Sequence, residues 1–330
     1  VIVDRDGHVA GRGWTQDGGR PHAETEALRQ AGTRARGATA YVSLEPCSHH
    51  GKTPPCAQAL IDAGVARVVS AVEDPDPRVS GKGHSMLAAA GIAVRANAMT
   101  VRAKALNEGF FSRVVAGRPF VTLKLATTLD GKIALANGES RWITGERARA
   151  DTHAERARHD AVLVGIGTAL ADDPELTCRL PCVRVGGPVR IVVDSQARLP
   201  VTSKLVASAR STPVWVVSAR KNSALEQAGV KVVHAPVGEG GVDLAAALKL
   251  LAGEGLTRVL VEGGATLASA LLKARLVDRL LWYRAPSVMG EGTSAVASLG
   301  LGSLKDLPRF SHEETIRLGE DVLETYRPAT

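Results

Sequence analysis

Residues 45–56 read EPCSHHGKTPPC and hold two of the chain's four cysteines, separated by eight residues, with two histidines and a lysine between them. Three readings compete: a zinc site, a disulfide loop, or a Pro-rich surface loop that contains cysteine by chance. Four cysteines in 330 residues are too few for a disulfide framework, and no signal peptide is visible. The expected compartment is therefore the reducing cytoplasm, where such cysteines serve as ligands or core residues.

Upstream lies RPHAETEAL, residues 20–28, which places His22 and Glu24 in the opening turn of a helix with Pro21 at its start. A metal that activates water needs imidazole or thiolate ligands, one open coordination position and a base that is not itself a ligand. His22, Cys47 and Cys56 supply three ligands suited to zinc, and Glu24 supplies the base. Pro46 is expected to stiffen an approach to a helix start beside Cys47, where the dipole favours thiolate. Taken singly, each feature is more often structural. Their succession in strand-helix-strand-helix order makes coincidence the poorer explanation. A structural zinc would take a fourth protein ligand, a role open to His49 or His50.

Around these motifs the first third alternates cleanly. ATAYVSLE, VARVVSAV and IAVRAN read as strands, and CAQALIDAG and GHSMLAAAG read as helices, so a helix-covered sheet is expected. Gly117-Arg118-Pro119 punctuates the pattern. Beyond it, strands are expected near Phe120, Ala161, Val189, Pro213, Lys231, Arg258 and Leu280, with helices near Glu146, Leu244 and Thr266. The apolar runs DAVLVGIG and TRVLVEGG have the length of buried parallel strands, and none approaches the roughly 18 to 20 residues of a membrane span.

Hydrophobic residues make up 45% and charged residues 23%, enough to build real cores. The net charge of +7 is scattered and aromatics are only 3%, which disfavours stacking on unpaired bases. Phosphorylated small molecules fit the mild positive excess at least as well as nucleic acid, and neither nucleic acid nor membrane is expected as a partner.

His-x-Glu followed by Pro-Cys-x-x-Cys is the zinc deaminase signature. Here the first half is intact and the second cysteine is displaced. With EPCSHHGKTPPC, the chain resembles the bifunctional riboflavin-biosynthesis family, which joins a diaminohydroxyphosphoribosylaminopyrimidine deaminase to a 5-amino-6-(5-phosphoribosylamino)uracil reductase. The longer loop implies that His49, Lys52 and Thr53 reach toward a phosphorylated ribose, whereas base rates make Lys52 a solvated surface lysine.

The reductase half of that family is similar to dihydrofolate reductase, and further blocks carry this resemblance: LKLATTLDGKIA (123–134), SRWITG (140–145), HAERARHDAVLVGIGTALADDPELTCR (153–179) and VLVEGGATLASALL (259–272). In the last, Gly263 and Gly264 let backbone amides approach a ligand closely, and the helix from Ala265 points its positive end at an anion such as a dinucleotide pyrophosphate. Residue by residue, the resemblance implies NADPH contacts at Ala126, Trp142, Thr168, Asp172, Ser195, Gly264, Ala265, Thr266, Leu267, Ala268, Ser269 and Ala270. Ser195 and Arg198 are candidates for a 2′-phosphate. It implies substrate contacts at Ser140, Arg156, Leu176, Arg179 and Glu262, with Lys124 beside the reacting ring and Asp172 as proton donor or orienting group. The bland alternatives are a solvated helix charge for Arg156 and core packing for Trp142. Cys178 and Cys182 lack further ligands at suitable spacing and read as idle thiols.

The implied fold class is α/β: an N-terminal cytidine-deaminase-like α/β/α domain over 1–115 and a C-terminal dihydrofolate-reductase-like α/β domain over 116–330. A homo-oligomer acting on a small phosphoribosyl pyrimidine is expected, with Zn2+ and NADPH as cofactors. The chain opens on VIVDRDG without Met and lacks the family's Pro-Asn-Pro segment, whose asparagine helps hold the pyrimidine, so the deaminase half is expected to be N-terminally incomplete. Two other classes are distinguishable: a nucleoside or tRNA deaminase fused to a pterin-type reductase, for which Lys52→Ala would barely matter, and a non-enzymatic zinc module that binds nucleic acid in a salt-sensitive way.

Overall fold

The computed structural model describes residues 1–49, 54–180 and 187–329. The chain divides into two compact units, Val1–Ala116 and Gly117–Thr330.

In the first unit β1 (Ile2–Val3), β2 (Val9–Gly11), α1 (Ala23–Ala31), β3 (Thr39–Val42), α2 (Cys56–Asp62), β4 (Arg67–Ser70), α3 (Lys82–Ala89) and β5 (Ala93–Arg95) precede α4 (Thr100–Leu106) and α5 (Glu108–Phe111). The sheet order is β2-β1-β3-β4-β5, with β3, β4 and β5 parallel and β1 antiparallel to both its neighbours. The crossovers through α2 and α3 step in the same direction, so right-handed connections lay both helices on one face. There α1 joins them, and Ala27, Ala40, Ala57, Leu60, Val68 and Leu87 form one buried cluster. Tyr41 is 46% exposed. Alanine dominates this core because the helices lie close to the sheet. Gly11 and Gly13 carry that closeness furthest: a Cβ on either would sit 2.0 Å from the Ala27 carbonyl oxygen or 2.1 Å from that of Ala23.

The second unit contains β6 (Phe120–Thr127), β7 (Lys132–Ala134), α6 (Glu146–Arg158), β8 (Ala161–Gly165), α7 (Ile166–Asp172), β9 (Val189–Val193), α8 (Lys204–Ala207), β10 (Val214–Ser218), α9 (Ser223–Gln227), β11 (Lys231–His234), β12 (Val237–Gly238) and β13 (Gly241–Val242). These are followed by α10 (Leu244–Gly253), β14 (Arg258–Glu262), α11 (Ala265–Lys273), β15 (Arg279–Arg284), β16 (Thr293–Ser294), β17 (Phe310–Leu318) and β18 (Asp321–Pro328). Nine strands form one sheet in the order β11-β10-β9-β8-β14-β6-β15-β18-β17. β18 runs antiparallel to β15, and β17 to β18. One face packs on α10 and α11 through Leu123, Leu163, Val261, Leu251 and Leu271. The other packs on α8 and α9 through Val164, Val192, Val216, Leu205 and Leu225.

Beyond short elements such as the helices α8 and α9 and the strands β7, β12, β13 and β16, two larger features differ from the sequence expectation. The stretch taken as a Gly-rich turn and acidic loop contains a helix, α7, capped by Gly165. The terminal hairpin β17–β18 adds two strands beyond the last expected one. No helix among the described residues is long and apolar enough to cross a membrane.

Candidate functional site

In the first unit three elements deliver three soft ligands. His22 is the N-cap of α1, in extended backbone. Cys56 is the first residue of α2, behind the N-cap Pro55. Cys47 follows β3. The helix start expected beside Cys47 lies at Cys56 instead, and the Cys56 N–H donates to Cys47 Sγ at 3.3 Å. His22 Nδ1 is 3.2 Å from Cys56 Sγ and 3.6 Å from Cys47 Sγ. A tetrahedral zinc with ordinary bond lengths separates a nitrogen and a sulfur ligand by about 3.6 Å. The donor set therefore fits zinc in both chemistry and spacing.

Electrostatics agree. The Cys56 thiol donates to Cys47, holding the Cys47 pKa down to about 3 against the cost of burial, with His22 adding to the effect. The same hydrogen bond pushes Cys56 up, and the Cys47 thiolate raises His22. Protons shared among three close ligands are what a divalent cation displaces on binding. Glu24 lies in the first turn of α1 beside Cys56; burial is the main reason its carboxyl is raised, the direction that suits a proton shuttle near neutral pH.

Among the described residues the His22–Cys47–Cys56 group has no fourth donor. His49 is half-buried, and its Nδ1 is enclosed with no hydrogen-bond partner among them. His50, Lys52 and Thr53 lie outside the described residues, as does Cys182. Cys47, Cys56 and Cys178 are free thiols, which removes the disulfide reading for the loop. Cys178 donates to the His153 carbonyl at 3.2 Å.

In the second unit β6, β8 and β14 end together where the strand order reverses, the usual crevice of open α/β sheets. Lys124 on β6 pairs in register with Glu262 on β14. Arg156, on α6, forks onto both carboxylate oxygens of Glu262 and reaches the Thr177 carbonyl at 2.8 Å. It is thus half of a buried ion pair, and the solvated-charge reading is set aside. Burial pulls the Lys124 pKa down, opposed by Glu262. For Glu262, burial acts upward but the Arg156 hydrogen bonds and charge outweigh it, leaving a net depression. Tyr283, whose hydroxyl donates to Asp151 at 2.7 Å, presents its ring 5.5 Å from Lys124 Nζ. Neither Tyr283, which lies outside the quoted blocks, nor His153, which opens one of them and accepts the Arg179 N–H at 3.4 Å, was singled out in the sequence.

Gly263 and Gly264 have φ of +85° and +84°, a conformation that favours glycine. A Cβ on Gly264 would lie 3.0 Å from Thr168 Oγ1, so the turn and the first turn of α7 share one wall. Behind it the first N–H groups of α11 have no intrahelical acceptor. A cradle that a Cβ would fill, facing a helix N-terminus, suits a dinucleotide phosphate.

Other expected contacts sort by placement. Trp142 is 67% exposed under the Arg149 guanidinium at 4.7 Å, so the core-packing alternative falls. Ala126 lies two residues beyond Lys124 on the same face, and Ser140 is half-buried. Asp172 ends α7, its carbonyl accepting from Arg141 at 3.1 Å, and Arg179 is exposed. Ser195 Oγ accepts the Val242 N–H at 2.9 Å, and Arg198 lies 3.6 Å from Asp194. Leu176 is a correction: its side chain is buried in the α8–α9 core, so it can offer a ligand only its main chain. Within α11, Leu267 and Ala268 face the core, and Ser269 Oγ bonds the Ala265 carbonyl and the Ala297 N–H. Of the expected run, Gly264, Ala265 and Thr266 stand nearest the cradle, while Ala270 is exposed a turn away.

Residues 119–323 match the family model described as RibD C-terminal domain, and residues 1–72 match the cytidine and deoxycytidylate deaminase zinc-binding region. The riboflavin biosynthesis protein RibD of Escherichia coli (strain K12) is 43% identical over 97% of this chain and 90% of its own length. A structure of Acinetobacter baumannii RibD superposes with a TM-score of 0.90 at 39% identity, covering 100% of this chain and 91% of that one. A Thermotoga maritima structure, titled as a diaminohydroxyphosphoribosylaminopyrimidine deaminase/5-amino-6-(5-phosphoribosylamino)uracil reductase, gives a TM-score of 0.84 at 32% identity, with coverage of 100% and 91%.

Proposed function

The chain belongs to the RibD family of riboflavin-biosynthesis deaminase–reductases, and from that premise we propose that it deaminates 2,5-diamino-6-(5-phosphoribosylamino)pyrimidin-4(3H)-one and then reduces the ribosyl group of the product to a ribityl chain. The observation that carries this reading is the convergence of His22 Nδ1 with the Cys47 and Cys56 thiols beside the buried carboxyl of Glu24.

His22, Cys47 and Cys56 would hold zinc, which when bound makes water nucleophilic near neutral pH. Glu24 would take the water proton and pass it to the pyrimidine ring nitrogen, then carry the remaining hydroxyl proton of the ring adduct to the amino group, so that the C–N bond breaks with ammonia leaving as the ring carbonyl forms. His49, Lys52 and Thr53 are assigned to the ribose phosphate side of this substrate.

In the second unit Gly264, Ala265, Thr266 and Thr168 would seat the phosphates of NADPH, with Ala126, Trp142 and Ser195 along its length; when bound it supplies the hydride for C1′ of the ribose. Arg156 and Arg179 provide guanidinium donors for the substrate phosphate. Lys124 and Glu262 face the reacting end, with Ser140 and the Leu176 main chain beside them. Asp172 is assigned to deliver or orient the proton that opens the ribose ring. A reducing cytoplasm would keep both metal-ligating thiols available, and a homo-oligomer is the proposed assembly.

The test supplies the phosphoribosylated diaminopyrimidine with and without NADPH. Ammonia release without NADPH, followed by NADPH oxidation only after deamination, is the expected result. Normal ammonia release by Glu24→Ala would sink the deaminase assignment. Loss of reduction of pre-deaminated substrate in that variant would sink the two-site division.

A further inference from the structure

Glu45, the first residue of EPCSHHGKTPPC, has a fully buried side chain whose partners within hydrogen-bond distance are all main-chain N–H groups. Oε2 accepts from Asp74 at 3.2 Å and Gly81 at 3.0 Å. Oε1 accepts from Gly83 at 2.9 Å and His84 at 3.2 Å. The His84 imidazole Nδ1 lies 3.7 Å away. The Glu45 N–H itself donates to the Val72 carbonyl at 3.0 Å.

One carboxylate thus ties the end of β3 to the loop after β4 and to the first turn of α3. That turn presses on the next residue: a Cβ on Gly83 would lie 2.0 Å from the Pro46 carbonyl oxygen. Glycine is required there because the two main chains nearly touch. One residue further stands Cys47. The main chain entering that ligand is therefore fixed by a buried anion before it, by proline's locked φ, and by helix α3 against the Pro46 carbonyl.

We propose that Glu45 is a positioning residue for the metal centre, holding Cys47 Sγ within reach of His22 and Cys56 so that the site is formed before metal arrives. The inference rests on the zinc reading of that triad. Glu45 acts through Cys47: both its oxygens are occupied and its side chain has no exposed surface, so it touches neither metal nor substrate. Preorganisation of this kind typically changes metal affinity 10- to 100-fold.

The test measures zinc affinity by chelator competition and the visible spectrum of the Co2+-substituted chain, scaled per bound cobalt. Wild type, Cys47→Ser, Glu45→Gln and Glu45→Asp are compared. Gln turns one acceptor into an amide that faces two N–H donors; Asp keeps charge and acceptors but withdraws them by one methylene. The expected zinc affinities fall in the order Glu, Asp, Gln, spanning about 10- to 100-fold, with a changed cobalt spectrum in protein whose circular dichroism shows a folded first unit. A loss of fold alone would lower the amount of bound cobalt and leave the spectrum per cobalt unchanged.

Wild-type affinity and spectrum in either folded variant overturns the proposal. So does failure of both variants to retain a folded first unit, which would make Glu45 a folding residue. If wild type binds no zinc, or binds it equally well after Cys47→Ser, the zinc reading itself has failed.

Discussion

Arg156 Nε lies 2.5 Å from Glu262 Oε1, and its Nη2 lies 2.8 Å from Oε2, joining helix α6 to the end of strand β14 by a two-pronged ion pair. Both side chains are mostly buried, so deleting one charge strands the other. Glu262→Gln should cost roughly 3–5 kcal/mol of stability at pH 7 and abolish reduction. The Glu262 pKa is depressed in the fold, so its contribution is complete above the unfolded value of about 4.3 and is lost as pH falls through the folded value. The melting temperatures of wild type and variant should start to approach one another as pH falls below about 4.3 and meet only below the depressed folded value. A constant gap down to pH 2 would refute the linkage.

Lys124 poses the opposite case. Burial lowers its pKa, so the cost of holding it charged is complete below the folded value and fades as pH rises toward about 10.4. Lys124→Met should therefore raise the melting temperature of the second unit by a few degrees at pH 7, corresponding to about 1 kcal/mol, with the gain disappearing above about pH 10. Reduction of pre-deaminated substrate should be lost in the same variant. A lower melting temperature at pH 7 would mean that Glu262 depends on Lys124 more than burial penalises it.

What the sequence disclosed follows from how local each signal is. AVLVG and RVLVE announced β8 and β14 because strands buried on both faces read as continuous apolar runs. Consecutive glycines announced the start of α11 because two positive φ values in a row leave little alternative. The hairpin β17–β18 gave no such signal: most of HEETIRL is exposed on both faces of the strand, so the period-2 alternation is missing. Helix α7 was hidden by Gly167 and its acidic end, both poor helix formers. At the metal centre the three candidate ligands came in two motifs, His22 in RPHAETEAL and both cysteines in EPCSHHGKTPPC. Glu45 did not stand out, because its four donors lie 29 to 39 residues further along the chain. Leu176 shows the reverse failure, since family resemblance gives a residue's neighbourhood and leaves open whether side chain or main chain faces it.

The contact between Gly264 and Thr168 separates two costs of filling the cradle. Gly264→Ala places a Cβ 3.0 Å from Thr168 Oγ1 and also strains a backbone at φ +84° and ψ 108°, a sparsely populated conformation that costs an L-residue roughly 1–3 kcal/mol. Together these should raise the KM for NADPH about tenfold, equivalent to ~1.4 kcal/mol. In melting temperatures of the chain without NADPH, adding Thr168→Ala should recover only the part due to contact, while the KM stays raised because Thr168 is itself assigned to the NADPH phosphates. Full recovery in the double variant would show that backbone strain is not felt at this turn.

Removing metal should act on one activity alone. Chelation should stop ammonia release while leaving reduction of pre-deaminated substrate intact, because the residues proposed for reduction, Lys124, Arg156 and Glu262, all lie in Gly117–Thr330. Glu24→Gln should keep its zinc and lose about 10²- to 10⁴-fold in deamination rate. Zinc analysis alongside both assays distinguishes the two cases; a Glu24→Gln chain without zinc would assign Glu24 to metal retention instead of proton transfer.

Arg190 sits on β9 at 1% exposure, and the acceptors of its guanidinium are carbonyls and a hydroxyl. It donates to Glu175 O at 3.2 Å, Ser208 Oγ at 2.8 Å, Ser208 O at 3.3 Å and Thr212 O. The segment leading to Arg179 is held at three carbonyls by three arginines: Asp172 by Arg141, Glu175 by Arg190 and Thr177 by Arg156. Arg190→Met preserves most of the volume but removes the guanidinium donor from the Glu175 and Thr212 carbonyls, at roughly 1–3 kcal/mol for each that water cannot reach, while Ser208 O keeps its bonds from Ser211 and Thr212. The second unit should melt lower, and the KM for the phosphoribosyl substrate in reduction should rise more than kcat falls, because the loop presenting Arg179 loses its inner anchor. Deamination should continue at the normal rate and serves as the internal control. An unchanged KM in a folded Arg190→Met chain would show that Arg141 and Arg156 hold the segment without it.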